Sequence, residues 1–210
     1  MGRIYDVSEP LSQATAVFPG DSPFSQEWVM RMEDGMSCNV STVRMSVHCG
    51  THTDAPLHFD SAGRAMAEVD LDPYLGRCRV VDVRGEGDPS LIPAAALQGS
   101  VLEGVDRVLF RTAAEHDANS FDPGFTALGP AAAEVLVANG IRLVGIDTPS
   151  IDHATAKELE GHHVLYRGGV AILENLDLRG VPEGDYELIA LPLKIVDGDS
   201  SPVRAILREL

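Results

Sequence analysis

The segment from His48 to His58 concentrates side chains that can bind a metal ion. It carries three histidines and an aspartate, namely His48, His52, Asp54 and His58. Three imidazoles and a carboxylate form a nitrogen and oxygen ligand set that suits Zn²⁺ or a neighbouring first-row metal. An isolated histidine is more often an ordinary core or surface group, but the whole chain holds only seven. The clustering therefore predicts a metal site.

A helix through this segment is disfavoured by its glycine and proline. His48 and His52 have the i, i+4 spacing of one helix face, but Gly50 lies between them and Pro56 follows. Both residue types disfavour a continuing helix. A strand that runs into a tight turn fits better, because the turn lets the ligands converge on one point.

The residues before the cluster alternate between apolar and polar side chains. Val43, Met45 and Val47 share one face of the alternation, and His48 lies on the other. A period of two residues is typical of a strand with one buried face. We therefore expect a strand over residues 39–48, with the valines and methionine in the core and His48 at the strand's end.

A second pair of possible ligands lies in the C-terminal third of the chain. Glu174 follows the apolar run 170–173, which predicts a buried strand, and His162 and His163 come shortly before that run. A carboxylate is costly to bury unless it is paired or bound to a metal. The residues alone make this pair weak evidence and leave the choice of histidine open.

The pattern His-x-Gly-Thr-His-x-Asp-x-Pro-x-His at 48–58 resembles the signature of the cyclase-like metal hydrolases, whose bacterial members include the kynurenine formamidases (arylformamidases). The resemblance runs from Tyr5-Asp6-Val7-Ser8 to the last residue. It implies an α/β fold, a layered β/β/α (swivelling, cyclase-like) arrangement, with residues 1–210 as a single domain. It also implies a homodimer.

The resemblance further implies a centre of two metals, Zn²⁺ with Mn²⁺ as the alternative. The first metal would be held by His48, His52 and Asp54, and the second by Asp54, His162 and Glu174, with Glu174 reaching both. Counting back from Glu174 selects His162 over His163. A metal-activated hydroxide would attack the substrate. His58 would be the general acid/base, with a further metal ligand as the alternative role.

The implied reaction is hydrolysis of N-formyl-L-kynurenine to L-kynurenine and formate, a step of tryptophan degradation. Phe18 stands where the family carries a pocket tryptophan, so we expect it to contact the substrate's aryl ring. Phe24 and Phe125 are further possible aryl contacts. The alternatives are a related hydrolase of cyclic amides or lactones, like isatin hydrolase, and a non-catalytic metal-binding protein. A serine hydrolase is disfavoured because the chain has no Gly-x-Ser-x-Gly elbow.

The elements that must position these residues alternate in type along the chain. Apolar runs predict strands over 4–7, 77–83, 106–112, 141–146 and 170–173, and in the tail over 186–196 and 202–210. Helices are predicted over 92–97, 129–139 and 157–163. Pro192 inside the first tail strand indicates an edge or a bulge. Asp147, Ser150 and Asp152 are interpreted as a turn and a cap for a helix beginning near residue 154.

Composition limits the possible partners and compartments. The net charge of −16 argues against nucleic-acid and anionic-membrane partners, because phosphate groups repel a polyanion. No run approaches the roughly 18 apolar residues of a membrane-spanning helix. The three cysteines form no CxxC pair, which indicates a reducing cytoplasm. We interpret Cys49, inside the metal motif, as a small buried hydrophobic residue.

Overall fold

The computed structural model describes residues 2–85, 89–112 and 117–210. The strands are β1 (Ile4–Asp6), β2 (Ser25–Met30), β3 (Val40–Arg44), β4 (His52–Asp54), β5 (Leu75–Asp82), β6 (Arg107–Arg111), β7 (Leu143–Ile146), β8 (Ala171–Glu174), β9 (Gly184–Ile189), β10 (Ser200–Pro202) and β11 (Ile206–Glu209). The α-helices are α1 (Pro130–Ala138) and α2 (Glu160–Arg167). Single 3₁₀ turns occupy Met32–Asp34, Pro56–His58, Met66–Glu68, Asp72–Tyr74, Ala94–Leu97 and Gly99–Leu102.

Nine of these strands form one mixed sheet in the order β1-β11-β9-β5-β6-β7-β8-β4-β10. The central strands β5, β6, β7 and β8 run parallel, and their outer neighbours pair antiparallel. Helix α1 lies between β6 and β7, and α2 lies between β7 and β8, as crossover connections of parallel strands require. Strands β2 and β3 form a separate antiparallel hairpin.

The sheet curls, so that residues following β1 meet residues following β8. Ser8 forms an isolated bridge with Leu176, and the amide of Asp177 donates to the carbonyl of Val7 at 2.9 Å. Along β6, Val108 and Phe110 enter the core beneath the helices, whereas Leu109 enters a second core enclosed by the curl. Two apolar layers on one sheet confirm the predicted layered α/β fold.

Helix α1 follows its local sequence signals closely. Pro130 occupies the first turn, where its missing N–H costs nothing, and the helix ends at Ala138 just before Asn139 and Gly140. Its buried face of Ala132, Ala133 and Leu136 packs on the helix-side core. The prediction of a helix over 129–139 is confirmed.

The predicted strand over residues 39–48 is wrong at its C-terminal half. Strand β3 ends at Arg44, and residues 47–50 form a turn, so His48 projects from a turn. Val43, expected in the core, is 49% exposed. The alternation reflects pairing with β2 in a two-stranded hairpin, and such a hairpin has no second layer to bury its apolar face.

The helix near residue 160 and the tail strands also differ from expectation. Helix α2 begins at Glu160 and continues to Arg167, so His162 lies in its first turn. Strand β9 ends at Ile189, which leaves Pro192 outside any strand. The last predicted strand is divided, because β10 pairs with β4 whereas β11 pairs with β9 and β1. In the part of the chain described, no helix has the length and apolar character needed to cross a membrane.

Candidate metal centre

Strand pairing brings the ligands of the two sequence motifs together. Strand β4 lies between β8 and β10, and its register places His52 directly opposite Glu174. Because side chains alternate along a strand, His52 and Asp54 share one face. Thr53 points to the other face, where its hydroxyl donates to the carbonyl of Ile172 at 2.6 Å. The short strand therefore presents two predicted ligands beside a third.

The two buried carboxylates lie among three histidines, of which Asp54 is close to all three and Glu174 to two. Asp54 Oδ1 lies 3.2 Å from His48 Nδ1 and 3.5 Å from His52 Nε2, while its Oδ2 lies 3.6 Å from His162 Nε2. Glu174 turns Oε2 to His52 Nε2 and Oε1 to His162 Nε2, each at 3.3 Å. Each carboxylate thus has one oxygen toward His52 and the other toward His162.

Each of these three imidazoles is held from behind by an acceptor. His52 Nδ1 lies 2.9 Å from the carbonyl of Gly50, His162 Nδ1 lies 2.8 Å from Asp152 Oδ2, and His48 Nε2 lies 2.9 Å from Asp199 Oδ2. An N–H donated outward leaves the other ring nitrogen with a free lone pair directed at the carboxylates. This arrangement is typical of metal-ligating histidines.

The turn that carries His48 depends on Gly50. This glycine has φ of +70°, and a Cβ there would lie 2.6 Å from a methyl of Leu11. Only glycine meets both demands without strain. Cys49, in the same turn, is fully buried, in agreement with its interpretation as a small hydrophobic residue.

Asp152 orients His162 through the start of helix α2. Its carboxylate accepts from the backbone amides of Gly161 at 2.9 Å and His162 at 3.0 Å, as well as from the His162 ring. Asp152 was predicted to cap a helix near residue 154; it caps α2 instead. Asp147 is elsewhere, accepting from the amide and hydroxyl of Thr112.

Replacing Gly161 by alanine is expected to destabilise the protein, although alanine normally favours a helix. A Cβ at Gly161 would lie 2.8 Å from Asp152 Oδ1, so the carboxylate that orients His162 must move. Overpacking of this kind costs about 1–3 kcal/mol. Urea unfolding measures the stability, and Zn²⁺ titration should show weakened binding. A more stable variant with unchanged binding would contradict this account.

The polar atoms of the cluster fit a divalent cation. Both oxygens of Asp54 and Nε2 of His52 are buried and make no hydrogen bond with any described residue. Burying such atoms without a partner is costly. Imidazole nitrogens and carboxylate oxygens are ligands for divalent metal ions, so a bound cation would satisfy them. Sequence reasoning also predicted His48, His162 and Glu174 as ligands, and all three surround these atoms.

The charges in the cluster reinforce each other. Burial opposes a charge on His48, but its contacts with Asp54 and Asp199 outweigh burial and raise its pKa to about 9. The pKa of His162 is raised well above its usual value, because Asp152, Asp54 and Glu174 overcome the effect of burial. The same histidines hold the pKa of Asp54 well below its usual range despite complete burial. The carboxylates are therefore ionised at neutral pH and ready for a cation.

Metal binding and protonation should compete at His48. In metal-stripped protein, its raised pKa contributes stability that is complete below its ordinary pKa of about 6.5 and is lost as pH rises through about 9. Metal binding requires the deprotonated ring and therefore strengthens over the same range. Urea unfolding of stripped and Zn²⁺-loaded protein at about pH 6 and about pH 9 should show the stability difference widening with pH. A constant or narrowing difference would refute this competition.

His58 lies next to the cluster at the end of the Pro56–His58 turn. Its ring centroid is 4.2 Å from that of His48, and its side chain is 33% exposed. Ligand atoms of His48, Asp54 and His58 lie within 4.8 Å of one another, so the acid/base and ligand roles both remain compatible with its position. Nε2 of His162 lies 3.3 Å from Glu174 Oε1 and 3.6 Å from Asp54 Oδ2, whereas His163 has no contact with either carboxylate among those seen in the described chain. His162 is thus the histidine that faces the carboxylates.

An open cavity of about 550 Å³ leads to the cluster. Phe18 and Phe121 lie on its wall with ring centroids 5.2 Å apart in edge-to-face contact. Phe24 and Phe125 are not among the lining residues, so their possible role as aryl contacts is not supported. Sequence reasoning missed Phe121, and it also missed the carboxylate of Asp199. Neither residue carries a local spacing signal that would have identified it.

The sheet topology and the buried cluster of histidines and carboxylates agree with the family to which the sequence is matched. The chain belongs to the cyclase family, since its residues 5–153 match the family described as "Putative cyclase". Among curated relatives, it is 46% identical to the kynurenine formamidase of Bordetella avium over 100% of both chains. It is also 46% identical to that of Delftia acidovorans, over 99% of this chain and 98% of the relative.

Solved structures show the same fold. A potential metal-dependent hydrolase with cyclase activity matches 99% of this chain and 98% of its own, with a TM-score of 0.80 and 28% identity. Isatin hydrolase A from Labrenzia aggregata, bound to benzyl benzoate, matches 99% of this chain and 93% of its own, with a TM-score of 0.83 and 25% identity.

Proposed function

We propose that the protein is a metal-dependent amide hydrolase, a kynurenine formamidase that converts N-formyl-L-kynurenine and water to L-kynurenine and formate. The observation that carries this proposal is the full-length 46% identity to curated kynurenine formamidases. The ligand cluster at the end of an open cavity supports it, because hydrolysis of an unactivated amide needs a strong nucleophile.

The ligands divide into two sets around the two carboxylates. His48, His52 and Asp54 would hold one cation, and His162 with Glu174 and the second oxygen of Asp54 would hold the other. We propose two Zn²⁺ per subunit, with Mn²⁺ as the alternative, because both accept this nitrogen and oxygen set. Bound there, the cations would lower the pKa of water and polarise the substrate carbonyl.

His58 is the residue of this chain that we propose moves the proton. It lines the cavity, and its Nδ1 lies toward Asp199, so Nε2 is the nitrogen available to the substrate. When water attacks the formyl carbon, His58 would accept the water proton and return it to the departing arylamine nitrogen. The C–N bond breaks, the neutral amine leaves, and the formic acid so formed releases its remaining proton to solvent as formate.

The aryl end of the substrate would contact the aromatic wall of the cavity. Phe18 is half exposed at the mouth and is supported edge-on by Phe121, which leaves its ring available for stacking. The position of Phe18 on the cavity wall therefore supports our proposal that it binds the substrate.

A hydrolase of cyclic amides or lactones is the alternative, favoured by the structural similarity to isatin hydrolase A. The two activities would share every metal ligand and differ in the pocket. Comparison of kcat/KM for N-formyl-L-kynurenine and isatin separates them, and we expect the formamide to be preferred by at least about a hundredfold. Preference for isatin would replace the proposal. Tight metal binding without turnover of either substrate would indicate a non-catalytic metal-binding protein.

We also propose that residues 1–210 act as one domain and that the protein is a cytoplasmic homodimer. A single-domain reading is supported by the sheet, which contains strands from both ends of the chain. Free thiols at Cys38, Cys49 and Cys78 suit a reducing cytoplasm. The β2–β3 hairpin supports self-association, because its apolar side chains Trp28, Val29 and Val43 are exposed.

Light scattering on the purified protein should give twice the mass of the chain. Trp28→Glu should shift that mass toward the monomer by placing a charge within the apolar surface of the hairpin. A monomeric wild type would overturn the homodimer.

A further inference from the structure

Asp199 occupies a fixed position beside the cluster, although it lies outside both sequence motifs. It precedes β10, whose first residue Ser200 is paired with Asp54 of β4. Its backbone carbonyl accepts from the amide of Ala55 at 2.9 Å. Strand pairing therefore holds Asp199 alongside the metal ligands, while its own side chain remains 46% exposed at the edge of the cluster.

One oxygen of this carboxylate faces two histidines. Asp199 Oδ2 lies 2.9 Å from His48 Nε2 and 3.6 Å from His58 Nδ1. The two rings are neighbours, with centroids 4.2 Å apart and planes inclined at 43°. A carboxylate between them constrains which nitrogen of each ring points inward.

We propose that Asp199 is a positioning residue that orients both the metal ligand His48 and the acid/base His58 through the same oxygen. The inference rests on the roles proposed above for these histidines. Accepting the N–H at Nε2 of His48 leaves its Nδ1 lone pair directed at Asp54 and the cation position. Attracting Nδ1 of His58 keeps Nε2 of that ring for the substrate. Asp199 thereby links metal binding to proton transfer.

Asp152 provides a useful contrast. It also orients a ligand imidazole, His162, but it is buried and holds the start of α2 through two backbone amides. Replacing Asp152 would disturb the helix as well as the ligand. Asp199 is more exposed, so its carboxylate can be removed at less cost to the fold.

The experiment compares Asp199→Ala and Asp199→Asn with the wild type and with Asp197→Asn. Asp197 is an exposed acid two residues earlier, so this control removes the same charge nearby. Chelator-stripped proteins are titrated with Zn²⁺ against a coloured competing chelator. Turnover of N-formyl-L-kynurenine is then measured at saturating Zn²⁺, and thermal unfolding checks that each variant is folded.

We expect Asp199→Ala to weaken Zn²⁺ binding by about 10–100-fold, the usual effect of losing a group that orients a ligand histidine. At saturating Zn²⁺ its kcat should still fall by about tenfold with KM unchanged, because His58 is no longer held. Asp199→Asn retains an oxygen that can accept from His48, so its Zn²⁺ affinity should stay within a few-fold of the wild type, with kcat reduced. Asp197→Asn should match the wild type.

Wild-type affinity and kcat in Asp199→Ala would overturn the inference. A rise in KM alone would also overturn it, because that result would make Asp199 a substrate contact. A wild-type protein that hydrolyses no formamide would contradict the proposed function instead. The Zn²⁺ affinities would still decide whether Asp199 positions His48.

Discussion

Asp54→Asn is expected to abolish metal binding and hydrolysis together. Asp54 is the one carboxylate within 3.6 Å of all three ligand histidines, and both its oxygens lack hydrogen bonds within the described chain. An amide keeps the shape but loses the charge and one acceptor. Turnover should fall at least about a thousandfold, because bound metal lowers the pKa of water from about 15.7 to about 7 and so supplies the nucleophile.

Thermal unfolding measures the effect of Asp54→Asn on metal binding without relying on activity. A ligand that binds only the folded state raises the unfolding temperature as its concentration increases. Zn²⁺ should therefore stabilise the wild type and leave Asp54→Asn unchanged. Asp70→Asn is the matched control, since Asp70 is exposed and pairs only with Arg64 among the contacts seen. A wild-type response to Zn²⁺ in Asp54→Asn would contradict the assignment of this ligand.

His58→Ala is expected to retain metal and lose turnover. General acid/base groups contribute about 10²–10⁴-fold to rate, so kcat should fall within that range. The cation positions are defined by other side chains, so Zn²⁺ affinity should change little. Metal content after gel filtration and kcat at saturating substrate measure the two effects separately.

His163→Ala is the control for loss of an imidazole near the site. Among the contacts seen in the described chain His163 has none with Asp54 or Glu174, so this variant should keep both metal and turnover. Loss of metal from His58→Ala would move His58 into the ligand set, a role that its closeness to His48 and Asp54 would also permit. Full activity with full metal would leave His58 without a function in the reaction.

Most of the residues that the structure brings into the buried cluster could be singled out from the sequence because they lie in a compact local motif. Residues 48–58 contain four of the six side chains singled out as ligands or acid/base, and the motif's glycine has the positive φ that the turn requires. Glu174 was weaker evidence: a carboxylate that ends an apolar strand needs a partner, but only the family resemblance made it a predicted ligand. The choice of His162 over His163 needed the spacing implied by the resemblance, because the two histidines are adjacent and nothing local distinguishes them.

The groups that support the ligands could not be predicted in the same way. Asp199 reaches His48 through the pairing of β10 with β4, and that pairing joins residues about 150 positions apart. The sequence predicts Asp152 as a cap for a helix beginning near residue 154. The helix that it caps, α2, begins at Glu160, so the amide of Gly161 could not be predicted as its partner. Long-range pairing carries no local signature, so tertiary structure was needed for both.

The hairpin shows how a correct pattern can give a wrong location. Alternation near Val43 did indicate a strand, yet β3 pairs only with β2 and leaves that valine exposed. Periodicity reports which residues share a face, and it does not report whether another layer covers that face. The exposed apolar side chains of the hairpin support the proposal that two copies of the chain associate through it.

The most direct test is hydrolysis of N-formyl-L-kynurenine by protein stripped with a chelator and then reconstituted. We expect turnover in the purified protein, its loss on stripping, and its recovery with Zn²⁺ or Mn²⁺. Turnover that persists unchanged after verified removal of metal would contradict the central claim that this cluster acts through a bound cation.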